Sequence, residues 1–331
     1  LCVRHTSKTN PSISHCSVGI GIGEQGRPVN PRDLISNAAR GFIMGAADIV
    51  PGISGGTIAL LLGIYERLLA SIRTGARSLG RLARGDLGGF IAQLKAIEWA
   101  FIGPLLAGIA AAFVVLASVI DRLLTNEPEA MAGLFFGLVL ASILIAWQML
   151  NNRDSTRIIV LVSIAVVSFF ILGLQSISVT DPGLVLFFFT GAIAICAMIL
   201  PGISGSFLML MLGMYTAFVG TVHDQELTNL AVFALGALAG LAAFSTLLSW
   251  ILEHHRDTLL AALIGLMGGS LRVLWPWPNG VGTIDDSAAK QINGTAVDLP
   301  AGFADAWLPL LLGLVAFTVV LALHRFTPDE T

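Results

Sequence analysis

The stretch "DIVPGISGGTIALLLGIYERLL", Asp48–Leu69, puts one proline and four glycines into an otherwise apolar run, and its core returns as "MILPGISGSFLMLMLGMYTAFV", Met198–Val219. Pairing Pro51 with Pro201 gives nine identities in the fifteen positions up to Tyr65 and Tyr215. A helix broken at the same place twice is a built feature, and the rest of the chain says in which solvent it is built.

Of 331 residues, 55% are hydrophobic and 12% charged, and the mean hydropathy is +0.84. Soluble domains carry roughly 25% charged residues, so the solvent is the bilayer. The net charge of -3 is small, and no basic run alternates with aromatics as a nucleic-acid surface requires. Cys2, Cys16 and Cys196 fit no metal spacing and make no disulfide framework. Residues 1–30 are polar, lack the apolar core of a signal peptide, and read as a flexible N-terminal tail.

About 20 apolar residues of helix cross a hydrocarbon core roughly 30 Å thick. Six segments qualify: 97–120, 131–150, 157–177, 229–252, 258–275 and 307–324. All six tryptophans lie near segment ends, as an interfacial aromatic belt requires. Two further apolar stretches, 34–72 and 184–222, are each broken by PGISG into arms of roughly 16 residues, short for a crossing. Each reads as a re-entrant hairpin. Fifteen Lys and Arg then fall on one side and only Arg122 and Lys290 on the other, which makes the first side, with both chain ends, cytoplasmic. The expected location is the cell's inner membrane.

The repeat extends beyond the hairpins. "LLAGIAA" from Leu105 matches "ALAGLAA" from Ala237, and "GLVLASILIAW" from Gly137 parallels "GLMGGSLRVLW" from Gly265. Residues 31–177 and 178–331 thus form two halves, each a hairpin followed by three spans. An odd number of crossings per half inserts the second half upside down, so the expected fold is an all-α polytopic membrane protein with an inverted-topology repeat, a plan of secondary transporters whose broken helices meet near the midplane.

The breaks have a chemistry. The residue before a proline avoids the α region, so the first arm ends at Val50 and Ser54 caps the second. Gly55, Gly56 and Thr57 follow it; in the copy, Ser204 precedes Gly205 and Ser206. Amides at a helix start lack carbonyl partners, and in hydrocarbon such orphans are tolerated only where protein or a polar cavity satisfies them. Pro51 and Gly52 make the turn, and the positive end of the helix dipole together with glycines that admit a ligand close to the backbone suits an anion. The competing structural reading is a tight helix contact, with Gly63 and Gly213 continuing a small-residue packing face.

Ionisable groups at depth are expensive and usually functional. Asp48, three residues before Pro51, either takes a proton, anchors a basic side chain or pairs with the hairpin's exposed amides. Arg272 lies inside the fifth span and suits bidentate phosphate binding or snorkelling to outer headgroups. Glu66 and Arg67, ending the first hairpin, are candidates for coupling, gating or interfacial anchoring. The basic run 73–96 carries apolar residues at helical spacing, as a helix lying on anionic lipid does.

An intramembrane serine hydrolase would also use Gly-x-Ser-Gly, but every histidine falls in the tail, a loop or a span end, out of reach as a base. No metal constellation or cofactor motif appears. A transporter of a small soluble anion remains an alternative on the same helix-start chemistry.

Together, "GFIMGAADIVPGISGGTIALLLGIYERLL", "PGISGSFLMLMLGMY" and "GSLRVLWPW" resemble a bacterial and archaeal membrane family regarded as polyprenyl-phosphate (undecaprenyl phosphate) translocases, over roughly Asp33 to His324. The resemblance implies a flippase that returns the lipid carrier from the outer to the inner leaflet for cell-wall biogenesis. It implies phosphate contacts at Gly52, Ser54, Gly55 and Gly56 and at Gly202, Ser204, Gly205 and Ser206, with Arg272 as an added cation. The copy has Met198, Thr216 and Ala217 where the first motif has Asp48, Glu66 and Arg67, so the half-sites are chemically unequal.

Overall fold

The computed structural model describes residues 31–49, 54–174, 179, 182–277 and 297–326, and these are all helix and connection, with no strand among them. The N-terminal tail, Val50 to Ile53 with the expected contact Gly52, and most of the outer segment after Trp277 lie outside the described residues. Twelve helices are described. The first half holds α1 (Pro31–Asp48), α2 (Gly55–Leu61), α3 (Tyr65–Ala83), α4 (Leu87–Lys95), α5 (Trp99–Asn126), α6 (Pro128–Gln148) and α7 (Ser155–Ile171). The second holds α8 (Leu184–Ile199), α9 (Gly205–Met211), α10 (Tyr215–His223), α11 (Leu227–Ser270) and α12 (Phe303–Phe326).

Four of these, α5, α6, α11 and most of α12, are long and apolar enough to cross a membrane by length and composition. The chain is a multi-pass membrane protein. The six expected spans fall on α5, α6, α7, α12 and the two arms of α11, which is one run of 44 residues bent at His255 (φ -140°, ψ 45°). The basic run is not one interfacial helix: α3 continues through position 72 to Ala83, and Gly85 at φ 75° turns the chain into α4.

After the PGIS break the chain is broken a second time in each half, which sequence reading did not anticipate. α2 and α9 have seven residues each, about 10 Å of helix. Both end on a glycine with positive φ, Gly63 at 69° and Gly213 at 70°. In each, the glycine amide bonds three residues back (Gly63 to the Leu60 carbonyl, 3.1 Å; Gly213 to Leu210, 2.9 Å) and the next amide five back (Ile64 to Ala59, 2.9 Å; Met214 to Met209, 2.9 Å). This is the Schellman stop. No atom lies within 4 Å of where a Gly63 side chain would begin, so that glycine is a turn residue and not part of a packing face. The axes of α9 and α10 differ by 110°.

Helices meet through glycines, because close backbone approach supplies the packing that lipid does not. Gly41 of α1 lies on the Leu105 backbone of α5, and Gly108 of α5 lies on Ala38. The equivalent residues of the second half do the same: Gly191 of α8 lies on Phe233 of α11, and Gly240 on Ala192. Two further contacts exchange partners between halves. Gly133 and Gly137 of α6 lie on Pro309 and Gly313 of α12, while Gly265 and Gly269 of α11 lie on Leu161 and Ala165 of α7. Beside these crossings α2 of the first half meets the end of α8 of the second, Gly56 lying against Ile199.

Candidate functional site

The site begins with the end of α8. A helix leaves its last four carbonyls without intrahelical partners, and side chains of the first half take two of them. The Ser54 hydroxyl donates to the Met198 carbonyl at 2.9 Å, and the Tyr65 hydroxyl to the Ile199 carbonyl at 3.3 Å. A third bond runs the other way: the Gly202 amide donates to the Thr57 hydroxyl at 2.8 Å. Gly56 makes the approach possible, since a β-carbon there would stand 2.7 Å from the Ile199 carbonyl oxygen. Gly202 itself sits at φ 91° against Met267 of α11. The structure thus brings Ser54, Gly56 and Thr57 together with Gly202.

The two helix starts differ. At α2 the Gly55 amide donates to the Asp48 carboxylate, the Gly56 amide to the Ser54 hydroxyl at 3.0 Å, and the Thr57 amide to the Ser54 carbonyl at 2.8 Å. An acidic side chain therefore already occupies the positive end of α2, one of the three readings left open for Asp48. At α9, Ser204 opens the helix with no side-chain cap bond; its hydroxyl pairs with that of Ser206 at 2.8 Å. Where the first half has Asp48 the second has Met198, whose side chain lies against Gly205.

Beside the kinks is a cavity of about 270 Å³, with Asp48, Gly55, Gly56 and Tyr65 at its polar part and an otherwise apolar wall that includes Leu69 of α3 and Leu241 of α11. Tyr65 was not a sequence candidate; its repetition as Tyr215 was the available signal.

The remaining candidates lie on other elements. The Arg272 guanidinium packs 4.6 Å over the Phe169 ring and donates to the Phe169 carbonyl at 3.5 Å, beside Gly173. Glu66 pairs with Arg256 and Arg67 with Glu98. No group of three His, Cys, Asp or Glu side chains among the described residues is placed to hold a metal.

A profile of undecaprenyl phosphate translocase-like (VCA0040-like) proteins matches residues 44–292, which include both PGISG motifs and every residue lining the cavity. The chain belongs to the undecaprenyl phosphate translocase-like family. Within that family it is similar to a polyprenyl-phosphate transporter of Vibrio cholerae, 37% identical over 302 residues, or 89% of this chain and 97% of the relative. A polyprenyl-phosphate transporter of Staphylococcus aureus is 26% identical over the same shares of the two chains. No solved structure matches.

In this translocase-like chain the Thr57–Gly202 bond joins the kinks at fully buried positions. Thr57→Val keeps the shape and orphans the Gly202 amide, which costs about 1–3 kcal/mol. The expected result is a detergent-solubilised protein that melts several degrees lower, whereas Thr57→Ser restores the wild-type melting temperature.

Proposed function

We propose that this chain carries a polyprenyl monophosphate, undecaprenyl phosphate above all, from the outer to the inner leaflet of the inner membrane. The phosphate is held at the paired kinks while the prenyl chain trails in lipid. The observation that carries the reading is the set of three hydrogen bonds from Ser54, Thr57 and Tyr65 of the first half to the end of α8 and Gly202 of the second, beside a cavity with a polar end and apolar walls. The names of the two relatives support the lipid as cargo.

Four helix-helix contacts support alternating access by inverted halves. The α1–α5 glycine contacts recur as α8–α11, and α6 and α11 exchange partners with α12 and α7. Rocking of one half on the other would then present a single phosphate site to either face, with both chain ends cytoplasmic. The phosphate contacts are Gly52, Ser54, Gly55, Gly56 and Thr57 in the first half and Gly202, Ser204, Gly205 and Ser206 in the second, with Arg272 as a further cation. The chain acts as a carrier and not as an enzyme.

Asp48 gives the cycle a condition. A carboxylate and a phosphate cannot both be ionised on the Gly55 amide without strong repulsion, so phosphate arrival requires Asp48 to leave Gly55 or to take a proton. Asp48→Asn keeps an acceptor for Gly55 and removes the charge; the expected result is prenyl phosphate transport that no longer requires that step and depends less on pH.

Proteoliposomes holding the purified chain separate the cargo classes. Transbilayer movement of a labelled polyprenyl monophosphate, unaffected by millimolar inorganic phosphate, is the expected result. Uptake of inorganic phosphate with no lipid movement would assign a small-anion carrier instead.

A further inference from the structure

We infer that two oppositely directed ion pairs between α3 and the bend of α11 form a latch that closes the cavity on its Lys- and Arg-rich side. Glu66 and Arg73 are seven positions apart, two helical turns, so they share one face of α3 with Leu69. Leu69 is buried and lines the cavity. The partners of the two charges straddle His255, the residue at which α11 bends. Arg73 pairs with Glu253 at 2.6 Å, before the bend, and Glu66 with Arg256 at 3.0 Å, after it.

The bend is tied down from a second side. Arg256 also donates to the Met149 carbonyl at the end of α6, 3.4 Å, and the buried Asp257 accepts from the amides of Asn151 and Asn152 at 3.4 and 3.0 Å. Both latch pairs cross from the first half to the second. Arg67, next to Glu66, turns to its own half instead, pairing with Glu98 at 2.7 Å and lying 4.2 Å over the Phe101 ring of α5. α3 is thus held to the start of α5 by Arg67 and to the opposite half by Glu66 and Arg73.

Polarity sets the register. α3 presents minus then plus, and α11 presents minus then plus running antiparallel, so a slip that brings Glu66 to Glu253 or Arg73 to Arg256 opposes like charges. Strength suits a part that opens. Three of the four side chains are at least a third exposed, and pairs of that kind are weak and screened by salt. The cavity wall between them, Leu68, Leu69 and Ile72, moves with α3 when the pairs break. The inference concerns closure alone and does not depend on which anion the cavity takes.

The test uses the full chain in proteoliposomes, with Cys2, Cys16 and Cys196 replaced by serine and Leu241→Cys as the probe, a cavity position far along α11 from the charges. A membrane-impermeant maleimide is applied to the face bearing α3 and α4, and the labelling rate is read. Arg73→Glu and Glu253→Arg are each expected to raise the rate about fivefold, the population shift a pair of this class supports. The double exchange Arg73→Glu with Glu253→Arg is expected to return it to within about twofold of the parent. Arg84→Glu, the same charge change on the exposed end of α3, is expected to leave it unchanged. A misfolded single variant would also label fast, but only a charge partnership predicts restoration by the exchange. Singles that label at the parent rate, or an exchange that stays as fast as the singles, overturn the latch.

Discussion

Gly56→Val is expected to lower lipid transport by at least about 100-fold while the protein still inserts and purifies. A β-carbon at position 56 would stand 2.7 Å from the Ile199 carbonyl oxygen and 3.1 Å from the Ser54 hydroxyl. The first neighbour is backbone at the end of α8 and the second is the cap of α2, so neither moves cheaply. Overpacking of this kind costs about 1–3 kcal/mol. As α2 retreats, the Ser54–Met198 and Thr57–Gly202 bonds are lost as well, each leaving a buried group unpaired at about 1–3 kcal/mol. Loss of roughly 3 kcal/mol from the kink-to-kink contact already corresponds to a hundredfold. The measurement is labelled-lipid movement in proteoliposomes, with melting temperature as the check on folding. Gly56→Ala is expected to fall between the two, since it introduces the clash without the branched side chain.

Gly137→Leu is expected to remove folded protein from the membrane altogether. Its α-carbon faces the Gly313 backbone of α12 so closely that even one added carbon collides with the carbonyl. This crossing joins the two halves, and in lipid, where no hydrophobic force drives helices together, interdigitated small residues supply the association. Leucine would force the helices apart along their length and break the Gly133–Pro309 contact one turn away. The expected readout is a monodisperse yield below about a tenth of wild type, beyond the few kcal/mol that most single changes cost. Gly80→Leu is the control: nothing lies within 4 Å of the β-carbon position at Gly80 on α3, and leucine favours helix over glycine by about 1 kcal/mol, so yield should hold or rise.

Both residues show what the sequence made legible. Gly137 opens one of the segments that match between the halves, and Gly56 follows the first PGISG, because composition and repetition are local properties that folding does not alter. The apolar spans were readable for the same reason. What Gly137 meets was not readable: α6 packs on α12 and not on its own half's α7, a pairing set by tertiary geometry. Gly63 and Gly213 entered only in the competing reading, as a small-residue packing face, since a glycine inside an apolar run looks the same whether it receives a neighbouring helix or stops its own. The sign of φ, which separates the two, belongs to the backbone.

At the site, Ser54 and Thr57 were named for a phosphate, yet in this structure their hydroxyls bond the Met198 carbonyl at the end of α8 and the Gly202 amide. Sequence spacing gives the donors and acceptors on one motif but not the distance to the other. Asp48 was open to three readings because seven positions of sequence separation from Gly55 do not say whether the two residues meet. Tyr65 was seen as a repeated residue but not as part of the site, because a tyrosine near a helix start has no chemical signature until a carbonyl such as that of Ile199 is placed against it.

The central claim is that the lipid phosphate sits where the two kinks meet. A polyprenyl phosphate with a photoreactive group on the first isoprene unit, irradiated with the full chain in proteoliposomes and mapped by peptide mass spectrometry, tests it directly. The account predicts label on residues 54–57 and 198–206, competed by unlabelled prenyl phosphate and lost in Gly56→Val. Label confined to the basic surface of α3 and α4, with both kinks unmodified, would contradict it.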